Sequence, residues 1–401
     1  MAPANLLPIG DNDVIKYYLY QATMTEGFVS PIIILFLVEN GISYTEVGIL
    51  GAIFMGSWVV SEIPTGYVGD RLGRRNSLVL GSLLTILALS GFAFGETFPI
   101  FAFAYVVWPV GLAFRSGTES AWLYDVLSED LDEDRFTAVK GRGEAIWYVG
   151  TAITSLFSGY LAGLNWVYPF VANVAILVVS IAVLYTFPEP DVTDDNTDDR
   201  FTLREARAAL HVLFSSASLR SFVVYTALFF GFWNLTSTFT QPVSRSVGVS
   251  LTQFGWLYAG FYVVSAVASN AAGLIREYVG IRRWFLGLPF IVALFFLPVL
   301  VQPIIVLPAI FLLRMANSVT TPLQHQYLND RIESVGRATS LSAVSMVSAI
   351  AGIGFRSVGG IVADRTSALI MLVAASVTLA VGAGLVAWWQ LPLEHADERV
   401  V

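Results

Sequence analysis

The chain has 401 residues, of which 56% are hydrophobic and only 13% charged, and its formal net charge is −8. Soluble globular proteins carry charge on roughly a quarter of their residues, so this composition excludes an ordinary soluble enzyme. The absence of cysteine excludes disulfides, thiolate metal sites and cysteine nucleophiles, and His211, His325 and His395 are too widely spaced to indicate a metal site, so neither a metal nor a cofactor is expected.

Apolar runs along the chain predict twelve helices of about 20 residues, the length that crosses a bilayer. Residues 1–17 lack the basic region and the small-residue cleavage site of a signal peptide, so the first apolar run is expected to remain as a helix. The fold class is therefore all-α and integral to the membrane. The predicted spans are 14–38, 45–68, 76–95, 98–124, 142–164, 167–187, 219–240, 251–275, 284–301, 303–327, 337–362 and 366–390.

Basic residues are distributed very unequally between the two sets of connecting loops. One set contains only Arg245 and Arg365. Because basic loops stay on the cytoplasmic side, we expect a multi-pass protein of the cell membrane with both termini in the cytoplasm. The other set contains Arg71, Arg74, Arg75, Arg135, Lys140, Arg142, Arg200, Arg204, Arg207, Arg220, Arg276, Arg282, Arg283, Arg331 and Arg337.

A hydrophilic linker is predicted over 188–218, between an N-terminal six-helix bundle (1–187) and a C-terminal one (219–401). The linker is acidic and rich in turn residues, which favours a hydrated segment, and 202–207 is typical of a short amphipathic helix on the inner membrane surface. Acidic loops with few lysines resemble those of proteins from salt-loving archaea, although an ordinary acidic linker is the alternative. No basic patch supports nucleic-acid binding.

The densest block of glycine and charge in the first hundred residues lies between the second and third predicted helices. Its sequence, GYVGDRLGRR over 66–75, predicts a tight basic turn. Gly66 and Gly73 would allow a sharp reversal, and Asp70 could accept hydrogen bonds at a helix N-terminus. A loop that only fixes the topology is the alternative. A similar block recurs about two hundred residues later and indicates an internal repeat; it contains Gly273, Glu277, Gly280, Arg282 and Arg283.

The first of these blocks resembles the signature loop of the major facilitator superfamily of secondary transporters. The resemblance implies two pseudo-symmetric six-helix bundles that alternate access to a central site, with substrate contacts from helices 1, 4, 7 and 10. It also implies that this loop acts as a gating latch. The matching positions are Gly66, Asp70, Arg71, Gly73, Arg74 and Arg75.

Polar side chains inside the apolar spans indicate a solute or proton pathway, because a charge at the bilayer centre costs about 3 kcal/mol or more. Glu26 is either a protonatable or substrate-contacting carboxylate, or a structural hydrogen-bond anchor. Arg115 and Glu119, one turn apart, either pair directly or serve the proton transfer implied by a partial resemblance to the superfamily's helix 4 motif. Arg314 and Arg356 either pair with Glu26 or bind an anionic substrate group. The full candidate set is Glu26, Arg115, Glu119, Asn234, Arg314, Asn317, His325 and Arg356.

Three glycines of the fifth predicted helix, Gly150, Gly159 and Gly163, resemble the antiporter motif of drug exporters in this superfamily. Tyr160 and Leu164 depart from that motif, and close helix packing is the alternative. No phosphate-binding loop for ATP is present, so an ion gradient is the expected driving force.

The sequence therefore predicts a secondary active transporter rather than an enzyme. It would move a small molecule of unknown class through the lipid bilayer, coupled to protons or another ion, with efflux as one direction. We expect a monomer. The alternatives are a transporter-like receptor that binds solute without flux, an uptake transporter for sugars or organic anions, a channel, and an integral-membrane enzyme, for which the spans offer no nucleophile–base pair or metal cluster.

Overall fold

The computed structural model describes residues 12–127, 133–187, 217–330 and 337–389. In these ranges all regular secondary structure is helical. The predicted linker, including its amphipathic helix at 202–207, lies outside the described residues except for its last two positions.

Fourteen α-helices occupy the described ranges, and two short 3₁₀ turns, Leu297–Leu300 and Pro303–Ile305, separate α11 from α12. The helices are α1 (Asn12–Thr23), α2 (Ile33–Glu39), α3 (Tyr44–Leu72), α4 (Arg74–Phe94), α5 (Phe98–Leu127), α6 (Glu133–Leu164), α7 (Tyr168–Leu184), α8 (Ala217–Ser246), α9 (Leu251–Asn270), α10 (Ala272–Tyr278), α11 (Ile281–Phe296), α12 (Val306–Asn329), α13 (Arg337–Arg365) and α14 (Ala368–Trp389).

Ten helical segments in the described ranges are long and apolar enough to cross a membrane. The two remaining predicted spans correspond to α7, an apolar helix of 17 residues, and to the pair α1 and α2. Large apolar side chains point outward on many helices: Phe94 is 79% exposed, Trp256 71% and Leu294 65%. Exposed apolar surface of this extent requires an apolar surrounding, so the prediction of an all-α integral membrane protein is confirmed.

The first predicted helix, 14–38, is not continuous, which corrects the sequence-based expectation. Helix α1 ends at Thr23 and α2 begins at Ile33. Pro31 has no N–H to donate to a helical ladder, and the Thr25 hydroxyl accepts a hydrogen bond from the Gly27 amide at 3.0 Å, in competition with the helical pattern. The non-helical segment places Glu26 between two half-helices.

Side chains of α6 supply hydrogen bonds to this non-helical segment. The indole N–H of Trp147 donates to the carbonyl oxygen of Met24 at 2.9 Å, and the Thr25 hydroxyl lies 2.6 Å from that of Thr154. Non-helical backbone at membrane depth is tolerated where protein rather than lipid surrounds it. The packing against α6 therefore makes the break in the first span compatible with a bilayer.

The described residues group into two compact units by their contacts. The first unit draws on Met1–Ile33, Ile53–Asn196 and Leu251–Ala259, and the second on Ile34–Ala52, Thr197–Ser250 and Gly260–Val401. In the first unit the buried ring of Trp122 stacks on Phe187, with centroids 3.9 Å apart. The division into bundles at 187 and 219 stays a prediction.

Glycines with positive φ occur at equivalent places in the two halves. In the described ranges these are Gly41 (φ 81°), Gly73 (φ 84°), Gly248 (φ 96°) and Gly280 (φ 80°). The steps from 41 to 248 and from 73 to 280 both span 207 residues. Side chains other than glycine rarely adopt this backbone region, so the shared spacing supports the predicted internal repeat.

The chain reversal after α3 takes place at one residue, Gly73, which separates α3 from α4. The reversal expected at Gly66 is not observed, because Gly66 lies inside α3 and no neighbouring atom approaches within 4 Å of the position that its Cβ would take. The predicted basic turn is therefore tighter than the sequence indicated.

Within the second unit, Asp364 near the end of α13 caps the N-terminus of α3. Its carboxylate accepts hydrogen bonds from the backbone amides of Tyr44 at 2.9 Å and Thr45 at 2.7 Å, and from the Thr45 hydroxyl at 2.5 Å. The first amides of a helix lack intrahelical partners and attract negative charge. Asp364 therefore joins the start of α3 to the end of α13.

Candidate functional site

A small pocket of the first unit lies beside the break between α1 and α2. Glu26 is partly buried and contributes its carboxylate, while Arg115 reaches the same pocket from α5. The pocket is lined by Met24, Thr25, Glu26, Val29, Thr85, Leu89, Trp108, Arg115, Asn173 and Leu177. A carboxylic acid side chain and a guanidinium side chain thus line one cavity between apolar helices.

Arg115 is oriented by a tyrosine of α1. Its Nε donates to the hydroxyl oxygen of Tyr20 at 3.2 Å, and Tyr20 is fully buried. A charged group gains about 1.5–3 kcal/mol from such a hydrogen bond. The contact fixes the guanidinium on the side of α5 that faces α1, next to Glu26.

Glu119 is held by α1 rather than by Arg115. Its carboxylate accepts hydrogen bonds from the Tyr17 hydroxyl at 3.3 Å and from the side-chain amide of Gln21. Gln21 also donates to Tyr17 at 2.8 Å. No ion pair within 4 Å joins Glu119 to Arg115, so the direct pairing considered from sequence is not observed.

In the second unit, Arg356 of α13 and Asn234 of α8 are in direct contact. The Arg356 Nη2 donates to the Asn234 Oδ1 at 2.9 Å, and its Nη1 donates to the carbonyl oxygen of Gly51 at 3.1 Å. Two predicted site residues are therefore brought together, and Arg356 connects α13 to both α8 and α3.

Arg314 of α12 lies among aromatic rings of the second unit. Its guanidinium carbon is 4.1 Å from the ring centroid of Phe261 and 5.3 Å from that of Trp233, distances typical of cation–π contacts. Asn317, one turn along α12, has a buried Oδ1 with no partner among the described residues. His325 is exposed. Arg314 and Asn317 thus share one region of α12, and His325 does not join them.

The basic turn between α3 and α4 carries further contacts within the first unit. The Arg71 guanidinium lies 4.3 Å from the ring centroid of Tyr67, and Arg75 Nη1 donates to the carbonyl oxygen of Phe187 at 3.5 Å. The Asp70 side chain lies outside what the structure describes. In the described ranges no group of three or more His, Asp or Glu side chains is placed to hold a metal ion.

Comparison with known families decides what kind of protein carries this site. The model of the Major Facilitator Superfamily matches residues 21–346. The chain belongs to this superfamily. The recognition made from the 66–75 loop is therefore confirmed, and the fold is that of the superfamily.

Relatives and solved structures agree with the superfamily assignment. The uncharacterized MFS-type transporter YxaM of Bacillus subtilis (strain 168) is 24% identical over 249 residues, 61% of each chain. Multidrug resistance protein 1 of the same organism is 24% identical over 275 residues, 67% of this chain and 66% of the relative. The matched regions thus span less than two thirds of these relatives' own length. The crystal structure of nucleoside transporter NupG has a TM-score of 0.79 at 12% identity, covering 94% of this chain and 98% of that chain, a likeness that shows the superfamily fold alone.

Several residues that contact or line the candidate site were not selected from sequence, among them Tyr17, Gln21, Trp108 and Asn173. Tyr17 and Gln21 bind Glu119, while Trp108 and Asn173 line the pocket beside Glu26. Asn173 is the only amide in the apolar stretch of α7, which is a signal that could have identified it. Trp108 gave no comparable signal, because a tryptophan in an apolar helix contributes apolar packing area as well as a hydrogen-bond donor.

Proposed function

We propose that this transporter moves a small solute by alternating access and that Glu26 carries the coupling proton. The observation that supports this most directly is the position of Glu26. It lies in a break between two half-helices and lines the same pocket as Arg115. Discontinuous helices mark substrate and ion sites in many secondary transporters.

The mechanism follows from the charge of Glu26. An ionised carboxylate within the membrane is costly unless it faces water or a cation, and Arg115 supplies the cation in this pocket. Protonation removes the attraction between the two side chains. A conformation that separates Glu26 from Arg115 therefore becomes more favourable when Glu26 is protonated, which shifts the population between the two access states.

The direction we propose is export from the cell. Multidrug resistance protein 1 is among the relatives, and the glycines of α6 resemble an antiporter motif. In this arrangement the 66–75 loop lies at the inner face of the cell membrane and acts as a latch, with both termini in the cytoplasm. The halves 1–187 and 219–401 would be the two moving bundles, and the protein would work as a monomer.

The experiment is a proton-flux assay on purified protein reconstituted into liposomes loaded with a pH-sensitive dye. Ethidium, uridine, D-xylose and benzoate are added in turn, and solute movement and proton movement are recorded together. We expect at least one solute to move with protons in the wild type. Glu26→Gln should lose the proton flux by at least 10-fold while it retains solute binding.

Glu96→Gln is the matched control, since Glu96 lies in the exposed turn between α4 and α5 and does not line the pocket. Equal proton flux in wild type and Glu26→Gln would show that Glu26 is not the coupling residue. Solute binding without any flux in the wild type would instead favour a receptor.

A further inference from the structure

Two residues that line the pocket beside Glu26 each carry a buried polar atom, and the two atoms have opposite hydrogen-bonding character. Trp108 is 8% exposed and Asn173 is 2% exposed, and both side chains line the pocket. In the described part of the chain, the Trp108 Nε1 and the Asn173 Oδ1 have no hydrogen-bond partner. A buried polar group without a partner costs about 1–3 kcal/mol, so two in one small pocket point to a ligand that pairs with them.

The two atoms restrict which chemical group that ligand can present. The indole nitrogen is only a donor, and the amide oxygen is only an acceptor. A carboxylate accepts but does not donate, an alkylammonium donates but does not accept, and a quaternary cation does neither. A neutral hydroxyl both accepts from an N–H and donates to a carbonyl oxygen.

We propose that this pocket recognises a hydroxyl group of the transported solute, which makes the substrate a hydroxylated compound such as a polyol, sugar or nucleoside. The inference rests on the proposed transport function and names the substrate class of the same site. Glu26 and Arg115 add an acceptor and a donor for neighbouring hydroxyls, and charge-assisted hydrogen bonds of this kind are the stronger ones.

The surroundings hold the donor in place. The Trp108 indole packs edge-to-face against Phe54 at 5.9 Å and 88° and against Phe92 at 5.9 Å and 69°. Asn173 projects from α7, and Leu177, one turn further along that helix, lines the pocket beside it. Two elements therefore fix the donor and the acceptor independently, which is the pre-organisation that a specific polar site requires.

A hydroxyl can come from the solute or from a bound water molecule, and the experiment separates these two sources. Binding to the purified full chain is measured for a panel of monosaccharides, polyols and nucleosides, with tetraphenylphosphonium and benzoate as probes without a hydroxyl. We expect members of the hydroxylated panel to bind. Trp108→Phe, which removes the indole N–H together with part of the ring, and Asn173→Leu should each weaken that binding by roughly 3- to 10-fold.

Trp58→Phe is the matched control for the indole. Trp58 stacks on the same Phe54 ring, with centroids 6.4 Å apart, but it does not line the pocket, so its substitution should leave binding unchanged. If no hydroxylated compound binds, or if Trp108→Phe and Asn173→Leu bind as the wild type does, the proposal is wrong.

Deoxy analogues of the bound compound complete the test. Where the missing hydroxyl is the one in the pocket, affinity falls in the wild type, and Trp108→Phe adds no further loss, because both changes remove the same contact. If every deoxy analogue loses the same affinity for the wild type and for the variant, the pocket holds a water molecule and the proposed substrate class is wrong. If tetraphenylphosphonium is the only compound transported with protons, this inference is wrong and the Glu26 proposal stands. If binding depends on a hydroxyl but the proton flux does not depend on Glu26, this inference stands and the Glu26 proposal is wrong.

Discussion

Arg356 shows how a single residue of this chain can keep a charge within the membrane. Its guanidinium is partly buried and donates to three neutral oxygens, the Asn234 Oδ1, the backbone oxygen of Asn234 at 3.4 Å, and the backbone oxygen of Gly51. A neutral acceptor satisfies a donor without cancelling its charge. The side-chain oxygen of Asn234 is the one of these three acceptors that a substitution can remove.

We therefore expect Asn234→Leu to destabilise the protein by about 1–3 kcal/mol, because the variant removes one of the acceptors of the partly buried Arg356 guanidinium. Asn234→Asp is the matched variant, since it keeps an oxygen at the same position. The measurement is thermal unfolding of detergent-purified protein followed by tryptophan fluorescence. The Leu variant should melt several degrees below the Asp variant, and equal melting temperatures would show that the Arg356 contact contributes little.

At this scale the sequence identifies charged residues inside the apolar spans better than it predicts what they contact. Glu26 and Arg115 stand out because charges are rare in apolar spans, and they do line one pocket. The partner of Glu119 could not be predicted, because one-turn spacing with Arg115 is visible in the sequence whereas the donors Tyr17 and Gln21 come from a helix about a hundred residues earlier.

At the scale of elements, α6 and the start of α9 pack backbone against backbone in the first unit. A Cβ on Gly159 would overlap the carbonyl oxygen of Leu251, and a Cβ on Gly255 would meet Ser155. Gly163, one turn further along α6, has no neighbouring atom within 4 Å of its Cβ position. Close helix packing, the alternative to an antiporter motif, thus explains why residue 159 is glycine. It does not explain why residue 163 is glycine.

The two glycines of α6 make a matched pair of substitutions. Gly159→Ala should lower the melting temperature, because its methyl group forces the backbone of α9 away from α6. Gly163→Ala should leave the melting temperature unchanged or raise it, since alanine is favoured over glycine in a helix by about 0.5–1 kcal/mol. If Gly163→Ala abolishes transport at unchanged stability, the antiporter motif has a functional role beyond packing.

Hydropathy predicted the helices well because bilayer thickness imposes a minimum length on an apolar run. It did not predict the break between Thr23 and Ile33, where the residues remain apolar enough for a span. The break is favoured locally by Pro31 and the Thr25 hydroxyl and is supported by hydrogen bonds with Trp147 and Thr154 of α6. A hydropathy average accounts neither for a missing N–H nor for partners from another segment.

The whole molecule is organised as a repeat, and the clearest sign of it is the common step of 207 residues between positive-φ glycines. Gly73 (φ 84°, ψ 156°) and Gly280 (φ 80°, ψ 148°) have nearly the same backbone conformation and both precede a helix. The sequence already indicated this repeat through its two basic glycine blocks. The first unit includes Leu251–Ala259 and the second includes Ile34–Ala52, and this grouping depends on tertiary contacts that neither half of the sequence indicates.

The orientation of the whole chain in the membrane can be tested with single cysteines, because the native sequence contains none. Asn76 and Glu96 are exposed and lie at opposite ends of α4, about 30 Å apart at 1.5 Å per residue, which matches the hydrocarbon thickness of a bilayer. If basic loops face the cytoplasm, a membrane-impermeant maleimide added to intact cells should label Glu96→Cys. It should label Asn76→Cys only after the membrane is permeabilised.

Thr366→Cys, in the exposed turn after α13, should be labelled in intact cells, as Glu96→Cys is. The opposite labelling pattern would place the 66–75 loop outside the cell, and that loop could then not act as a cytoplasmic latch.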